Sequence, residues 1–224
     1  MSDKRPIARE FDAKAAVYET NRLADWYKGH AERIVDRLAL QPGALVLDVG
    51  CGTGYLLRAI VRRFPGVDGA GVDLAPAMIE EARNKAASEG MASLRFECAD
   101  WEDRNFDGTR LFEGRSPSCI LCVNALHYFA APQAAFDKMW RILAPGGRAW
   151  VLERAREGSI LTAVWAYLHH YLIRDHVRFY KTGDLLDMMR QAGFEQARTE
   201  ISLRRILWRG KAYTSVALIS GVRV

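Results

Sequence analysis

Three glycines at alternate positions follow an apolar stretch in Val46-Leu47-Asp48-Val49-Gly50-Cys51-Gly52-Thr53-Gly54. Because glycine lacks a Cβ, such a turn can adopt positive φ values and let backbone N–H groups approach a ligand closely. The turn also lies at the positive end of the helix expected to follow it. Asp48, two residues before the turn, can fix the loop and its ligand through its carboxylate. The pattern predicts a nucleotide-like cofactor here.

The glycine spacing differs from that of a dinucleotide site. The dinucleotide fingerprint is G-x-G-x-x-G, whereas Tyr55, Leu56 and Leu57 follow the third glycine of this chain. A second apolar stretch ends at Asp73, 19 residues after Gly54. An acidic residue there can accept hydrogen bonds from both hydroxyls of a ribose. The pattern therefore indicates a ribose-containing cofactor without the pyrophosphate-binding glycine.

A third stretch, residues 94–98, runs into Ala99-Asp100-Trp101. The Asp100 carboxylate can accept a hydrogen bond from the exocyclic amine of adenine, with the aromatic ring of Trp101 beside it. Together with the glycine turn and Asp73, this pair describes a pocket for a nucleoside without a phosphate clamp.

The ordered set of motifs resembles that of the class I S-adenosylmethionine-dependent methyltransferases, a group that includes quinone and small-molecule methyltransferases. The resemblance covers about residues 10–155 and extends to Ala144-Pro145-Gly146-Gly147, which is similar to the turn before the family's fifth strand. It implies S-adenosyl-L-methionine as the cofactor. The cofactor-binding residues that it implies are Tyr18, Asp48, Gly50, Cys51, Gly52, Gly54, Asp73, Leu74, Asp100, Trp101 and Asn124.

Two segments outside these motifs are predicted to cover the site. In the family, an N-terminal stretch, here residues 1–40, folds over the cofactor as a helical lid. Tyr18 resembles a lid tyrosine that contacts the methionine part of the cofactor. Glu19 stands where relatives often have aspartate, so a packing role for Tyr18 is the alternative. Residues 155–181 carry apolar side chains at helical spacing and many aromatic and histidine side chains.

We expect this helical insertion to roof the substrate pocket. Packing over the sheet edge and docking on a membrane surface are the alternatives.

The candidate catalytic residue is His127, in the stretch after the fourth strand pattern, Asn124-Ala125-Leu126-His127. Methyl transfer from a sulfonium needs mainly alignment of the reacting atoms and exclusion of water. An amine or hydroxyl acceptor must also lose a proton, and histidine is the side chain best matched to that task near neutral pH. We predict that His127 acts as a base or orients the substrate; lining of the pocket is the alternative.

No metal site is predicted. The five histidines show no metal-ligand spacing, and Cys119 and Cys122 form the chain's one CxxC pattern. They lie within an apolar strand pattern, where residues three apart point to opposite faces. We therefore expect both cysteines to be buried structural residues.

Size and charge are typical of one soluble domain, predicted over residues 1–224. Half of the residues are apolar, a quarter are charged, and the net charge of +5 is spread along the chain. Because basic residues are scattered, no nucleic-acid partner is expected. There is no apolar run of membrane-spanning length and no signal segment, so we expect a cytoplasmic protein. The sequence leaves the oligomeric state open.

The expected fold is α/β: a Rossmann-like, doubly wound sheet, mostly parallel. Strand patterns at 44–49, 67–72, 94–98, 119–124 and 148–153 alternate with helical patterns at 53–64, 76–88 and 132–143. A further helix is predicted at 182–192, then antiparallel strands at 198–208 and 212–219. Ligands bind at the carboxyl ends of the strands in such sheets.

The sequence thus predicts methyl transfer from S-adenosyl-L-methionine to a small-molecule N, O, S or C nucleophile by in-line displacement. Nucleic-acid base methyltransferases usually carry two prolines after the fourth strand, and Asn124-Ala125-Leu126-His127 lacks them. A quinone or phospholipid-headgroup methyltransferase acting at a membrane surface is one alternative, and a cofactor-binding regulator without activity is another. The sequence does not specify the methyl acceptor.

Overall fold

A computed structural model describes residues 4–21, 24–155, 178, 180–203 and 215–224. Almost all of the predicted helical insertion at 155–181 lies outside the described residues. Within them, no helix is long and apolar enough to cross a membrane.

Seven strands form one sheet, in the order β3-β2-β1-β4-β5-β7-β6. The strands are β1 (Leu45–Val49), β2 (Asp68–Asp73), β3 (Leu94–Cys98), β4 (Cys119–Val123), β5 (Arg148–Ala155), β6 (Glu195–Leu203) and β7 (Ser215–Val222). The first five are parallel, and β7 runs antiparallel to both β5 and β6. The predicted Rossmann-like fold is confirmed.

Six helices accompany the sheet in the described part of the chain. They are α1 (Arg5–Asp12), α2 (Ala24–Val35), α3 (Tyr55–Arg63), α4 (Pro76–Ser88), α5 (Pro132–Ile142) and α6 (Thr182–Gln191), together with short 3-10 turns at Ala15–Val17, Gly108–Phe112 and Leu126–Tyr128. Helices α4 and α5 begin with proline, whose missing N–H costs nothing in the first helical turn.

The last two strands differ most from the prediction. Strand β6 begins at Glu195 rather than at residue 198, and β7 ends at Val222 rather than at residue 219. The register shifts between Glu195 and Arg198, where Gln196 has a φ of 51°. Such an irregularity breaks the alternation on which strand prediction depends. The end predicted for β6 and the start predicted for β7 fall among residues 204–214, outside the described part.

The alternation of side chains along β1 separates two hydrophobic cores. Leu45, Leu47 and Val49 pack with residues of α5 and α6 on one face of the sheet. Val46 packs with residues of α2, α3 and α4 on the other face, the face to which Asp48 also belongs. Cys119 and Cys122 likewise belong to opposite cores. The parallel strands are thereby fixed between two helical layers, with their carboxyl ends at one edge.

Candidate cofactor and substrate site

The glycine turn after β1 requires glycine for two different reasons. Gly50, Gly52 and Gly54 have φ values of 76°, 53° and 74°, a region that side-chain-bearing residues rarely adopt. A Cβ on Gly50 would come within 2.4 Å of the Ala125 Cβ, and one on Gly54 within 2.7 Å of the Phe96 ring. At Gly52, which lines the cleft, the nearest atom would be 3.9 Å away. Gly50 and Gly54 are therefore packing sites, whereas Gly52 keeps the cleft open.

The backbone N–H groups of this turn are used inside the protein. The N–H groups of Gly50 and Cys51 donate to the Val72 carbonyl, at 2.8 and 3.0 Å, and that of Gly52 donates to Asp73 Oδ2, at 2.8 Å. Our expectation that N–H groups of this turn are free to approach a ligand is wrong for these three. These hydrogen bonds fix the turn to the end of β2. The turn therefore contributes a surface of the right shape for a ligand rather than these three hydrogen-bond donors.

Asp73 lies at the end of β2, beside the glycine turn. Besides the Gly52 N–H, its carboxylate accepts the Ala75 N–H at 2.9 Å, just before α4. Burial raises the pKa of Asp73, and hydrogen bonds from backbone N–H groups partly oppose this effect. Asp73 and Leu74 both line the cleft, in a position where the carboxylate can also accept hydroxyl donors.

Asp48 is almost fully buried, with 3% of its surface exposed, and its Oδ1 has no hydrogen-bond partner. Burial, and to a lesser extent the charge of Asp73, raises the pKa of Asp48 to about 7. An unpaired carboxylate oxygen in such a place is costly. It lies in the wall of a cavity next to Cys51 and Thr53, where a cationic ligand group would stabilise it.

The loop after β3 carries a charged cluster that sequence reasoning missed. Lys4, just before α1, places its Nζ 2.5 Å from both Asp100 Oδ1 and Glu102 Oε2. Glu102 also accepts the N–H groups of Ala130 and Ala131 ahead of α5. The N-terminal segment, the loop after β3 and the loop after β4 therefore meet at one carboxylate. Glu102 stands only two residues from Asp100, but no motif marks it.

Trp101 is 3% exposed and lies at the edge of the cleft. Lys138 Nζ approaches the ring to 4.8 Å from its centroid and donates to the Trp101 carbonyl at 2.8 Å. The ring therefore belongs mainly to the hydrophobic core, and it presents only a limited surface to a ligand.

The predicted lid tyrosine lies over the glycine turn. Tyr18 stacks on Tyr27 with ring centroids 5.3 Å apart, and burial raises its pKa. Glu19 accepts a hydrogen bond from Thr53 Oγ1 and pairs with Arg58, both at 2.6 Å. Glu19, which stands where relatives often have aspartate, therefore has a structural role. It connects the N-terminal segment to the glycine turn and to α3.

Asn124 follows β4 with a φ of 54°, and both polar atoms of its side chain are buried without a partner. His127 lies in the next turn, 3% exposed, with its Nδ1 2.6 Å from Glu153 Oε1. Tyr128 and Phe129 line the cleft, whereas His127 is not among its lining residues. The role of His127 as a base stays a prediction. A lone acidic residue in the apolar pattern of β5 was the signal that could have revealed Glu153.

These elements enclose two adjoining cavities that share Tyr18, Gly50, Gly52, Val123 and Asn124. The first, of about 750 Å³ and partly open to solvent, extends to Asp73, Leu74, Asp100 and Trp101 and is covered by Lys4, Ile7, Ala8 and Phe11 of the N-terminal segment. The second, of about 600 Å³, contains Asp48, Cys51 and Thr53. Of the predicted residues, Gly54 and His127 lie outside both walls.

Comparison with known proteins gives a consistent set of similarities. The family described as "Methyltransferase domain" matches residues 46–147. A malonyl-[acyl-carrier protein] O-methyltransferase of Marinomonas sp. (strain MWYL1) is 28% identical over 206 residues, which cover 90% of this chain and 71% of that protein. A demethylmenaquinone methyltransferase of Deinococcus radiodurans is 34% identical over 175 residues, covering 75% and 66%.

Solved structures show the same fold at lower identity. An O-methyltransferase family protein from Burkholderia thailandensis superposes with a TM-score of 0.67 at 21% identity, over 96% of this chain and 60% of that chain. A geranyl diphosphate C-methyltransferase from Streptomyces coelicolor A3(2), in complex with Mg²⁺, geranyl diphosphate and S-adenosyl-L-homocysteine, gives a TM-score of 0.65 at 19% identity, over 88% and 79%.

Matched alanine substitutions can separate the two reasons for glycine in this turn, which are the positive φ value and the lack of room for a Cβ. Gly54 and Gly90 have similar φ values, 74° and 70°, but a Cβ at Gly90 would meet nothing within 4 Å. We expect Gly90→Ala to lower the free energy of unfolding by about 1–2 kcal/mol through backbone strain alone. Gly54→Ala should lower it by about 2–5 kcal/mol, because the clash with Phe96 adds to the strain. Urea unfolding measures both; equal losses would contradict the packing argument.

The raised pKa of Asp48 predicts that the free energy of unfolding depends on pH. The folded protein holds this proton up to about pH 7, whereas the unfolded chain loses it near the ordinary value of 3.8. Stability is therefore lost as pH rises between these values. Asp48→Asn removes that loss and should raise the free energy of unfolding at pH 8 by about 2–4 kcal/mol, with almost no gain near pH 4. Urea unfolding across this range tests the expectation, which a pH-independent difference would refute.

Proposed function

Because the chain belongs to the class I S-adenosylmethionine-dependent methyltransferases, we propose that it binds S-adenosyl-L-methionine along the two cavities and methylates a small molecule. The observation that carries this proposal is the placement of Asp48, Asp73 and Asp100. Asp48 is the last residue but one of β1, Asp73 ends β2, and Asp100 follows β3 by two residues. These three neighbouring parallel strands bring the carboxylates to one edge of the sheet, where all three line the joined cavities.

The chemistry of the cavity walls fits the parts of this cofactor. Asp100 would hold the adenine, with Leu74 and the limited exposed surface of Trp101 beside it, and the Asp73 carboxylate would accept the ribose hydroxyls. The methionine part would lie against the glycine turn beneath Tyr18. The ammonium group of the methionine part would pair with the Asp48 Oδ1, which has no hydrogen-bond partner in the protein.

Methyl transfer from a sulfonium requires little acid–base catalysis by the protein. The bound cofactor supplies a sulfonium methyl that is already activated for displacement. The chain must bring the acceptor into line with that methyl and exclude water. Phe11, Tyr128 and Phe129 give the first cavity an aromatic surface, and Tyr18 lines both cavities. Asn124, with its unpaired polar atoms, supplies the hydrogen-bonding group there.

The acceptor is proposed to be a small molecule, free or attached to a carrier. The curated relatives are named for a malonyl group on acyl-carrier protein and for demethylmenaquinone, which are different acceptor chemistries on one fold. We do not expect a nucleic-acid partner. A cytoplasmic location and contact with a membrane surface stay predictions from the sequence alone.

The assignment of Asp73 can be tested by binding alone. We expect Asp73→Asn to weaken the binding of S-adenosylhomocysteine by about 10–100-fold, because hydrogen bonds to a charged group contribute about 1.5–3 kcal/mol. Asp68→Asn, at the opposite end of the same strand, is the matched control and should bind normally. Calorimetry measures both affinities. Equal affinity for both variants would contradict the placement of the ribose.

Methyl transfer separates the enzyme from a regulator that only binds the cofactor. We expect the wild-type protein to move a radiolabelled methyl group from S-adenosyl-L-methionine to at least one member of a panel of amines, phenols, thiols and carboxylates. Asp73→Asn should lower that activity at subsaturating cofactor. Tight binding of S-adenosylhomocysteine without any labelled product would instead favour a regulator.

A further inference from the structure

A buried ammonium group lies against the loop that follows β3. Lys138 of α5 is 7% exposed, and its Nζ lies 4.8 and 5.0 Å from the ring centroids of Trp101 and Phe106. Nζ donates to the Trp101 carbonyl at 2.8 Å and to the Asp103 carbonyl at 2.9 Å. In the described part of the chain, the contacts of Nζ include no carboxylate oxygen. The ammonium is therefore held by two backbone carbonyls and two aromatic rings.

This position is unfavourable for a charged amine unless its contacts offset the loss of water. Burial lowers the pKa of Lys138, and the charge of Arg141 adds to that effect, whereas the charges of Asp103, Asp100 and Asp107 oppose it. An apolar side chain of similar length would fill the core without this cost. It could not donate to the two carbonyls, so these hydrogen bonds are the specific contribution of the lysine.

The two carbonyls belong to the loop that carries Asp100. Asp100 Oδ1 accepts the Glu102 N–H at 2.9 Å and pairs with Lys4 Nζ at 2.5 Å, and the Asp100 carbonyl accepts the Asp103 N–H at 3.0 Å. Within the described residues, no hydrogen bond to Asp100 Oδ2 is seen, so this oxygen can accept a donor from a ligand in the first cavity. The direction of Oδ2 thus depends on a turn that Lys138 holds by its carbonyls.

The other side chains that fix this loop hold different atoms. Lys4 binds the carboxylates of Asp100 and Glu102, and Glu102 accepts two backbone N–H groups ahead of α5. These contacts fix the ends of side chains. Lys138 instead fixes the backbone between those side chains, and the loss of its two hydrogen bonds would leave that backbone free to shift while the ion pairs persist.

Helix α5 holds the ammonium in place. Phe136 and Met139, which neighbour Lys138 in this helix, are completely buried. They belong to the same core as Trp101 and Phe106, whose rings lie beside Nζ. The side-chain entropy of the lysine is therefore lost when the protein folds rather than when a ligand binds. A carboxylate positioned in this way is preorganised for its ligand.

We propose that Lys138 is a positioning residue for the cofactor: by fixing the carbonyls of Trp101 and Asp103, it sets the Asp100 carboxylate to accept the exocyclic amine of adenine. The proposal rests on the assignment of S-adenosyl-L-methionine and on the placement of its adenine at Asp100. It adds that selection of adenine over a base without that amine depends on this lysine. Lys138 lies outside the walls of both cavities, so it acts through the loop.

The test compares two ligands that differ at one position of the base. S-inosylhomocysteine has a carbonyl oxygen where S-adenosylhomocysteine has the exocyclic amine, and this oxygen cannot donate to Asp100. We expect the wild-type protein to bind the adenine compound about 10–100-fold more tightly, as measured by calorimetry. Lys138→Met keeps an unbranched side chain of similar length but donates nothing. It should reduce the ratio of the two affinities to below about threefold, mainly by weakening the binding of S-adenosylhomocysteine.

Arg141→Met is the matched control, because it removes an exposed cation from the same helix and should keep the wild-type ratio. A lysine with only a structural role would change both affinities by the same factor. An unchanged ratio in folded Lys138→Met would therefore overturn the positioning role. If Lys138→Met does not fold, Lys138→Gln serves instead, since its amide is uncharged and one atom nearer the backbone. Its ratio should also fall, and a wild-type ratio in this variant would refute the inference.

A double mutant tests whether the effect passes through Asp100. In an Asp100→Ala background, adding Lys138→Met should change the ratio by less than about twofold, because the carboxylate that the lysine positions is gone. A full further loss would contradict this route. Failure of the wild type to bind S-adenosylhomocysteine would instead contradict the cofactor assignment. Tight but equal binding of both ligands by the wild type would leave that assignment intact and overturn the present inference.

Discussion

The carboxylate of Asp73 is the contact on which the rest of the cleft depends. It accepts the Gly52 N–H after β1 and the Ala75 N–H before α4, so one side chain fixes two segments that bound the cavity. Because β2 is paired on both sides, with β1 and β3, the sheet itself sets the position of this carboxylate. The N-terminal segment adds to the same frame, where Asp12 accepts the Ala77 N–H of α4.

The floor of the cleft is acidic, because Asp48, Asp73 and Asp100 line it, and the N-terminal segment contributes the positive charge of Lys4. Burial raises the pKa values of Asp48 and Asp73, which means that ionising these carboxyl groups in the fold costs free energy. Lys4 of the N-terminal segment partly offsets the negative charge by pairing with Asp100. A floor of this kind favours a ligand that carries positive charge, as a sulfonium and an ammonium do.

A buried contact joins strand β5 to the turn after β4. Glu153 belongs to the face that carries the core of α5 and α6, and its carboxylate reaches the turn that contains His127. The sequence placed His127 after the fourth strand correctly. The lone acidic residue of the β5 pattern marks Glu153 but does not show that it pairs with His127, because the two residues are 26 positions apart. For the same reason the contact of Lys4 with Asp100, 96 positions away, could not be predicted.

The sequence by itself determined the sheet, its helices and the family. Predicted bounds such as 94–98 for β3 and 76–88 for α4 agree with the structure, because side-chain periodicity and punctuation by proline and glycine are local properties. The acidic residues fall at one edge because parallel strands share a direction. Only the tertiary structure decided that N–H groups of the glycine turn bond inside the protein, how the N-terminal segment packs on the cleft and that His127 pairs with Glu153. Those features depend on contacts between distant residues, and pairing of this kind leaves no periodic trace in a single sequence.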